Sequence, residues 1–155
     1  MSVDYGKEWE QKFSTQWKNT FPKNLIERIP DQYNGHKKTS ENIADFYACF
    51  NSKLVYFECK ETKEGTLNFA KFSQLDRMLE RALLNDVKGY VVIWFRKFQA
   101  VVMVDVVEAD RIRKDGRASI AYSMLKEKLY NIIEIPSVTT KVYPKCDFTV
   151  MREVI

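Results

Sequence analysis

The sequence predicts a mixed α/β domain on three observations. Trp9, Phe13, Trp17 and Phe21 recur every four residues, which draws one apolar stripe along a helix. Two runs rich in aromatic and β-branched residues flank Asn51-Ser52, as in a hairpin. The unbroken apolar run Tyr90–Phe95 (YVVIWF) suits a central strand covered on both faces. With 155 residues and 45% hydrophobic composition, the chain is long enough to bury its own core, so one domain spanning 1–155 is expected.

The elements follow in order. A helix over Gly6–Phe21 stops before Pro22. Leu25–Pro30 reads as a short strand and Asp31–Glu41 (DQYNGHKKTSE) as a polar loop. Ile43–Phe50 and Lys53–Glu61 form the hairpin, with Asn51-Ser52 as its two-residue turn. Ser73 opens a second helix whose inner face is Leu75, Met78, Leu79 and Ala82, with Ser73 and Asp76 spaced as a capping box. Tyr90–Phe95 and Ala100–Val107 are successive strands, Arg111–Arg117 (RIRKDGR) a basic turn, and Ser119–Tyr130 a third helix. The tail from Thr140 reads as irregular or an edge strand, and no repeat or linker divides the chain.

Composition narrows the chemistry. Only 5 Gly and 4 Pro exclude collagen-like and low-complexity classes. No apolar run approaches the length of a membrane span, and Met1–Glu10 carries acidic residues where a signal peptide needs an apolar stretch. A soluble, cytoplasmic protein without a membrane partner is expected. The net charge of +4 is compatible with a polyanion. Cys49, Cys59 and Cys146 lack CxxC spacing, and His36 is the single histidine. Zinc knuckles, disulfide frameworks and histidine-dependent triads are thereby disfavoured, leaving carboxylates and lysines as reactive groups.

Ile43–Lys60 is the informative segment. If Asn51-Ser52 is the turn, Phe50 faces Lys53, and counting back sets Asp45 opposite Glu58. Glu58 and Lys60 share that face by strand alternation, whereas Val55, Phe57 and Cys59 point to the core with Phe46 and Ala48. The E-x-K spacing alone carries little, because Glu10/Lys12 and Glu61/Lys63 match it too. The cross-strand aspartate adds weight. Two opposed carboxylates repel unless something compensates them, and a hard divalent cation, Mg²⁺ or Mn²⁺, would do so through oxygen ligands. A metal flanked by a lysine suits phosphodiester hydrolysis.

Asp45 followed by Glu58-Cys59-Lys60 at the end of an apolar strand resembles the D…E-x-K core of the PD-(D/E)XK nuclease superfamily. The segment DFYACFNSKLVYFECKETK is similar to that of RecU-type Holliday-junction resolvases and their phage relatives. Phe72-Ser73-Gln74-Leu75, Asp115–Ile120 and Tyr143–Phe148 resemble further segments of that family in order, and Gly6 with Glu10 resembles the first-helix signature of archaeal-type resolvases. The resemblance implies a restriction-endonuclease-like fold, a mixed central sheet flanked by helices. It implies that Asp45 and Glu58 ligate Mg²⁺, with Mn²⁺ as a substitute. Lys60 would position the attacking water or steady the scissile phosphate. Glu10 would reach the site from the first helix, and Gln74 would orient the water or Lys60. Cys59 would be a small buried hydrophobe, since alternation turns it away from the site.

Two departures qualify this. Ala44 precedes Asp45 where the family tends to offer a hydroxyl, and only Pro22–Asn42 spans the gap that holds the family's long DNA-gripping stalk. Lys37, Lys38, Lys63, Lys71, Arg96, Lys97, Arg111, Arg113, Lys114 and Arg117 are the expected phosphate contacts. The expected activity is Mg²⁺-dependent, structure-selective cleavage of four-way DNA junctions, whose near two-fold symmetry calls for a homodimer. The alternatives are a nuclease of the same fold acting on duplex or branched DNA, and a DNA-binding recombination protein that does not cleave.

Overall fold

A computed structural model of the chain describes residues 2–34 and 37–155, the side chains of residues 32–34 and 37–40 excepted. Helix α1 (Tyr5–Thr20) starts where the Asp4 carboxylate accepts from the Lys7 N–H, satisfying a donor that the helix leaves open. Strand β1 (Ile26–Arg28), a small ribbon of β2 (Gln32–Asn34) and β3 (Lys37–Ser40), and the hairpin β4 (Phe46–Phe50) and β5 (Lys53–Thr62) come next. Then follow β6 (Thr66–Asn68), a 3-10 turn, α2 (Leu75–Ala82), β7 (Val87–Phe95), β8 (Ala100–Asp105), α3 (Val106–Lys114), β9 (Ser119–Ala121) and α4 (Met124–Glu127). The chain ends with β10 (Ile133–Ile135), the hairpin β11 (Ser137–Thr140) and β12 (Tyr143–Cys146), and a 3-10 segment over Phe148–Glu153.

The main sheet has the order β1-β4-β5-β7-β8-β10, with β5 and β7 parallel and the other neighbours antiparallel. Because β5 and β7 run the same way, the chain must cross over between them, and α2 lies in that connection. One sheet face packs on α1 and the other on α2 and α3, so the mixed α/β class expected from the sequence is the class observed. The run YVVIWF explains itself here. Tyr90, Val92 and Trp94 face the α1 side, and Val91, Ile93 and Phe95 face the opposite side.

On the α1 side, Trp9, Phe13 and Trp17 are fully buried. Phe13 sits within 5.2 Å of the Phe57 ring and 5.3 Å of the Phe148 ring, centroid to centroid. Two indoles keep their N–H groups satisfied: Trp9 donates to the Val92 carbonyl at 3.3 Å and Trp17 to Asn24 Oδ1 at 2.9 Å.

Five local expectations are corrected. Asp31–Glu41 is not all loop, since its backbone forms the β2–β3 ribbon. The strand expected from Ile43 begins at Phe46, three residues later. Ser73 does not cap α2: its hydroxyl donates to Glu41 Oε1 at 2.6 Å, and Gln74 stands at the helix start without capping it. The basic run at Arg111 belongs to α3, because Val106, Ala109 and Ile112 bury one face and Asp105 caps the start by accepting from the Val107 N–H. The helix ends at Gly116, whose φ of +87° suits a residue without a Cβ. Finally, Ser119–Tyr130 is not one helix. Ser119–Ala121 pairs with β6 instead, a three-residue partner too short to read from sequence.

The packing yields a direct expectation. Phe13→Ala should lower unfolding free energy by about 3–5 kcal/mol in urea titration, while Leu25→Ala, at a side chain 63% exposed, should stay within about 0.5 kcal/mol of the parent.

Candidate active site

Asn51 and Ser52 have φ of 50° and 62°, the paired left-handed conformation of a tight hairpin turn, and this turn sets the β4–β5 register. Phe50 faces Lys53 and Phe46 faces Phe57, the alignment counted from the sequence. Asp45 lies one residue before β4, just beyond the paired register, which ends at Phe46 opposite Phe57, so it is not the register partner of Glu58 that counting from the turn implies. Its N–H donates to the Phe57 carbonyl at 3.1 Å and its carbonyl accepts from the Ile29 N–H at 2.9 Å. Its Oδ2 accepts from the Cys59 N–H at 2.8 Å, so backbone and carboxylate are both held against β5.

Glu58 is only 3% exposed. Its Oε1 lies 3.5 Å from Lys60 Nζ, while Oε2 is buried without a hydrogen-bond partner. Burial, then the Asp45 charge, pushes the Glu58 carboxyl up to about 9, which Lys60 only partly offsets. Burial also raises Asp45 despite the Cys59 N–H. Cys59 itself is buried on the α1 side with its thiol pKa raised by burial, the inert position expected of it.

Glu10 comes to the site from α1. Its Oε2 is bonded to Arg28 at 2.7 Å, and burial followed by the Asp45 charge raises its pKa. Glu10, Asp45, Glu58, Lys60 and Arg28 thus share one electrostatic field. Among the described residues no three His, Cys, Asp or Glu side chains form a preassembled metal cage. The residues nonetheless fit a hard divalent cation: two adjacent carboxylates offer oxygen only, and one buried oxygen has no other partner.

Gln74 donates from Nε2 to Glu41 Oε1 at 2.9 Å, and its Oε1 is buried without a partner. Among the described contacts it makes no hydrogen bond to Asp45, Glu58 or Lys60. Ala44 is buried against the α2-side core.

The expected phosphate contacts divide. Lys63, Arg96 and Lys97 lie just past the ends of β5 and β7, two parallel strands whose last residues, Thr62 and Phe95, are register partners. Of these, Arg96 is bonded to Glu61 at 3.0 Å and stacked 4.0 Å from the Tyr5 ring centroid. Lys71 is exposed in the 3-10 turn after β6. Arg113 is tied to Asp76 and Asp110, Lys114 to Asp110, Arg117 to Glu127 and Arg111 to Glu108. The side chains of Lys37 and Lys38 lie outside the described ones. Two contributing residues were not foreseen. Arg28 gives no local signal because its role depends on β1 pairing with β4, and Glu41 meets Gln74 across 33 positions of sequence.

The fold and this carboxylate–lysine arrangement define a nuclease-like α/β domain, and the comparisons name its class. A family model described as RecU, Recombination protein U, matches residues 11–143. The chain belongs to the RecU family, and with it to the recombination endonucleases that the sequence resemblance implied. No curated protein matches the sequence. Among solved structures, the chain is similar to Hjc of Archaeoglobus fulgidus, a Holliday junction resolvase from an archaeal hyperthermophile, at 17% identity and a TM-score of 0.47, covering 66% of this chain and 78% of that one. Among the described residues no helix is long and apolar enough to cross a membrane.

The raised carboxyls make stability depend on pH. A carboxyl whose folded pKa exceeds its unfolded value is bound to its proton more tightly in the folded state, so its stabilisation is complete below pH about 4.5 and is lost as pH rises toward about 9. In EDTA, unfolding free energy should fall progressively as pH rises across that window. Glu58→Gln should flatten the profile, and adding Mg²⁺ should restore stability at pH 8 to the parent but not to the variant.

Proposed function

We propose that this RecU-family protein is a divalent-metal-dependent endonuclease that resolves four-way DNA junctions in the cytoplasm, with its hydrolytic site at Asp45, Glu58 and Lys60. The observation that carries the reading is the pair of carboxyls itself: Glu58 is buried against Asp45, hydrogen-bonded to its side chain, with Oε1 3.5 Å from Lys60 Nζ. Two carboxyls held together away from water cannot both ionise without a compensating cation, which is the group this pair is suited to receive.

Asp45 and Glu58 would hold Mg²⁺, or Mn²⁺ in its place. Such a cation lowers the pKa of a bound water and neutralises charge on the phosphate. Asp45 supplies a fixed oxygen, since the Cys59 N–H and two backbone hydrogen bonds prevent it from swinging away. Lys60 presents its ammonium beside Glu58, where it can donate to a non-bridging phosphate oxygen or hold the attacking water in line. Glu10, with its raised pKa, is placed to accept a hydrogen bond or proton from water at the edge of the site, and Arg28 fixes its rotamer. Gln74 presents an amide oxygen whose orientation Glu41 sets through the opposite end of the amide. Lys63, Lys71 and Lys97 remain the open phosphate contacts of the expected set. A homodimer would bring two such sites to the two strands of a symmetric junction.

A same-fold nuclease without junction selectivity is the second reading. It is favoured by the chain between α1 and Asp45, whose described residues form β1 and the short β2–β3 ribbon where the family resemblance implies a long stalk.

One gel separates these. Labelled four-way junction and matched duplex, incubated with protein in Mg²⁺, should show symmetric nicking of the junction alone, abolished by EDTA. Glu58→Ala should reduce the rate by about 10³-fold or more and Lys60→Ala by about 10²-fold or more, with unchanged circular dichroism. Equal cutting of duplex would retain the nuclease and discard selectivity. Binding without cutting in Mg²⁺ or Mn²⁺ would overturn the enzymatic reading.

A further inference from the structure

A trough of about 720 Å³ runs between α1 and the β11–β12 hairpin, on the flank of the helix away from Glu10. Its helix wall carries Gln11, Lys12, Thr15 and Asn19, and its hairpin wall carries Lys141 and Lys145. The side chains of all three lysines are exposed, and none is within ion-pair distance of a carboxylate among the described residues. No Asp or Glu lines the trough. Glu8, one turn before Lys12, forms no ion pair with it, and Asp147 at the end of the hairpin is turned onto Thr149. This contrasts with α3, where each cation of the basic run is matched by a carboxylate.

The trough is also rigid. The Gln16 amide joins its walls in both directions, donating from Nε2 to the Pro144 carbonyl at 2.9 Å and accepting at Oε1 from the Cys146 N–H at 2.8 Å. Lys12 Nζ stands 5.3 Å from the Tyr143 ring centroid, which holds the ammonium against the hairpin. Lys141 occupies the turn with φ of 64°, placing one lysine at the hairpin tip. Three separated ammonium groups, with neutral amide and hydroxyl donors between them, match the spaced charges of a phosphodiester backbone and read no base. Walls fixed before binding lower the ordering cost of such a complex.

We propose that the α1/β11–β12 trough, through Lys12, Lys141 and Lys145, binds the sugar–phosphate backbone of a DNA arm, separate from the strand being cut. The proposal rests on the nucleic-acid reading of the active site, and assigns that DNA a second anchoring surface on the flank of α1 opposite Glu10. No local sequence signal marks these lysines, because their alignment depends on the hairpin docking against α1.

The test measures binding of labelled four-way junction by fluorescence anisotropy in EDTA, from about 50 to 200 mM salt, for the parent and for Lys12→Ala/Lys141→Ala/Lys145→Ala. Junction affinity should weaken at least about tenfold at the higher salt, and the slope of log K against log salt should shrink by about 2–3, the release expected for three phosphates. The thermal unfolding midpoint should change little, and a charge-preserving triple Lys→Arg variant should retain binding. Unchanged affinity and slope in a variant of a parent that binds and cuts DNA would overturn the trough while leaving the endonuclease intact. A parent that neither binds nor cuts DNA would overturn both. Sedimentation showing that the triple alanine variant loses self-association, with DNA affinity unchanged, would assign the trough to a second copy of the chain and overturn the proposal.

Discussion

Asp45 and Glu58 meet because the β4–β5 hairpin turns on two residues with positive φ, and the sheet cannot shift that pairing by one residue without exchanging its faces. A slip would carry Phe46 and Phe57 out of the α1-side core and drive the carboxylates into it. Burial of those aromatic rings therefore enforces the geometry of the candidate site. The arrangement concentrates negative charge where water is scarce. The fold offsets this only partly, with the Cys59 N–H on Asp45, the Lys60 ammonium beside Glu58 and Arg28 on Glu10. What is left over appears as the raised pKa values of the Asp45 and Glu58 carboxyls.

Helix α1 has two functions that its sequence periodicity separates. Trp9, Phe13 and Trp17 cover the sheet, while Glu10 flanks that stripe and leans toward Asp45. The opposite flank carries Lys12, Thr15 and Asn19 against the C-terminal hairpin. One element thereby ties the core, the carboxylates and a cationic surface into a fixed relation. The free positive charge of the protein is also redistributed by folding. Arg111, Arg113, Lys114 and Arg117, the densest basic run in the sequence, are matched by Glu108, Asp76, Asp110 and Glu127. Of these, only the Arg113–Asp76 pair joins α3 to α2; the others neutralise the run locally and so weaken its attraction for a polyanion.

The sequence by itself determined the elements whose signal is local and strong: the aromatic stripe of α1, the doubly covered β7, and the hairpin whose turn sets Phe50 opposite Lys53 and Phe46 opposite Phe57. Each follows from a period of four or two residues, or from a turn that tolerates few conformations, so no distant partner is needed to read it. The family, too, was legible, because its motif lies within one hairpin and its further segments recur in order. Tertiary structure decided the rest. β6 and β9 are strands only because three residues of each find one another, and the polar Asp31–Glu41 segment pairs with itself. Arg28 joins the site when β1 docks on β4, Glu41 meets Gln74 across two elements, and Lys12 faces Lys141 and Lys145 when Gln16 fastens the hairpin to α1. These are pairings between distant segments with no periodicity of their own, and their free energy comes from contacts that exist only after the core has closed.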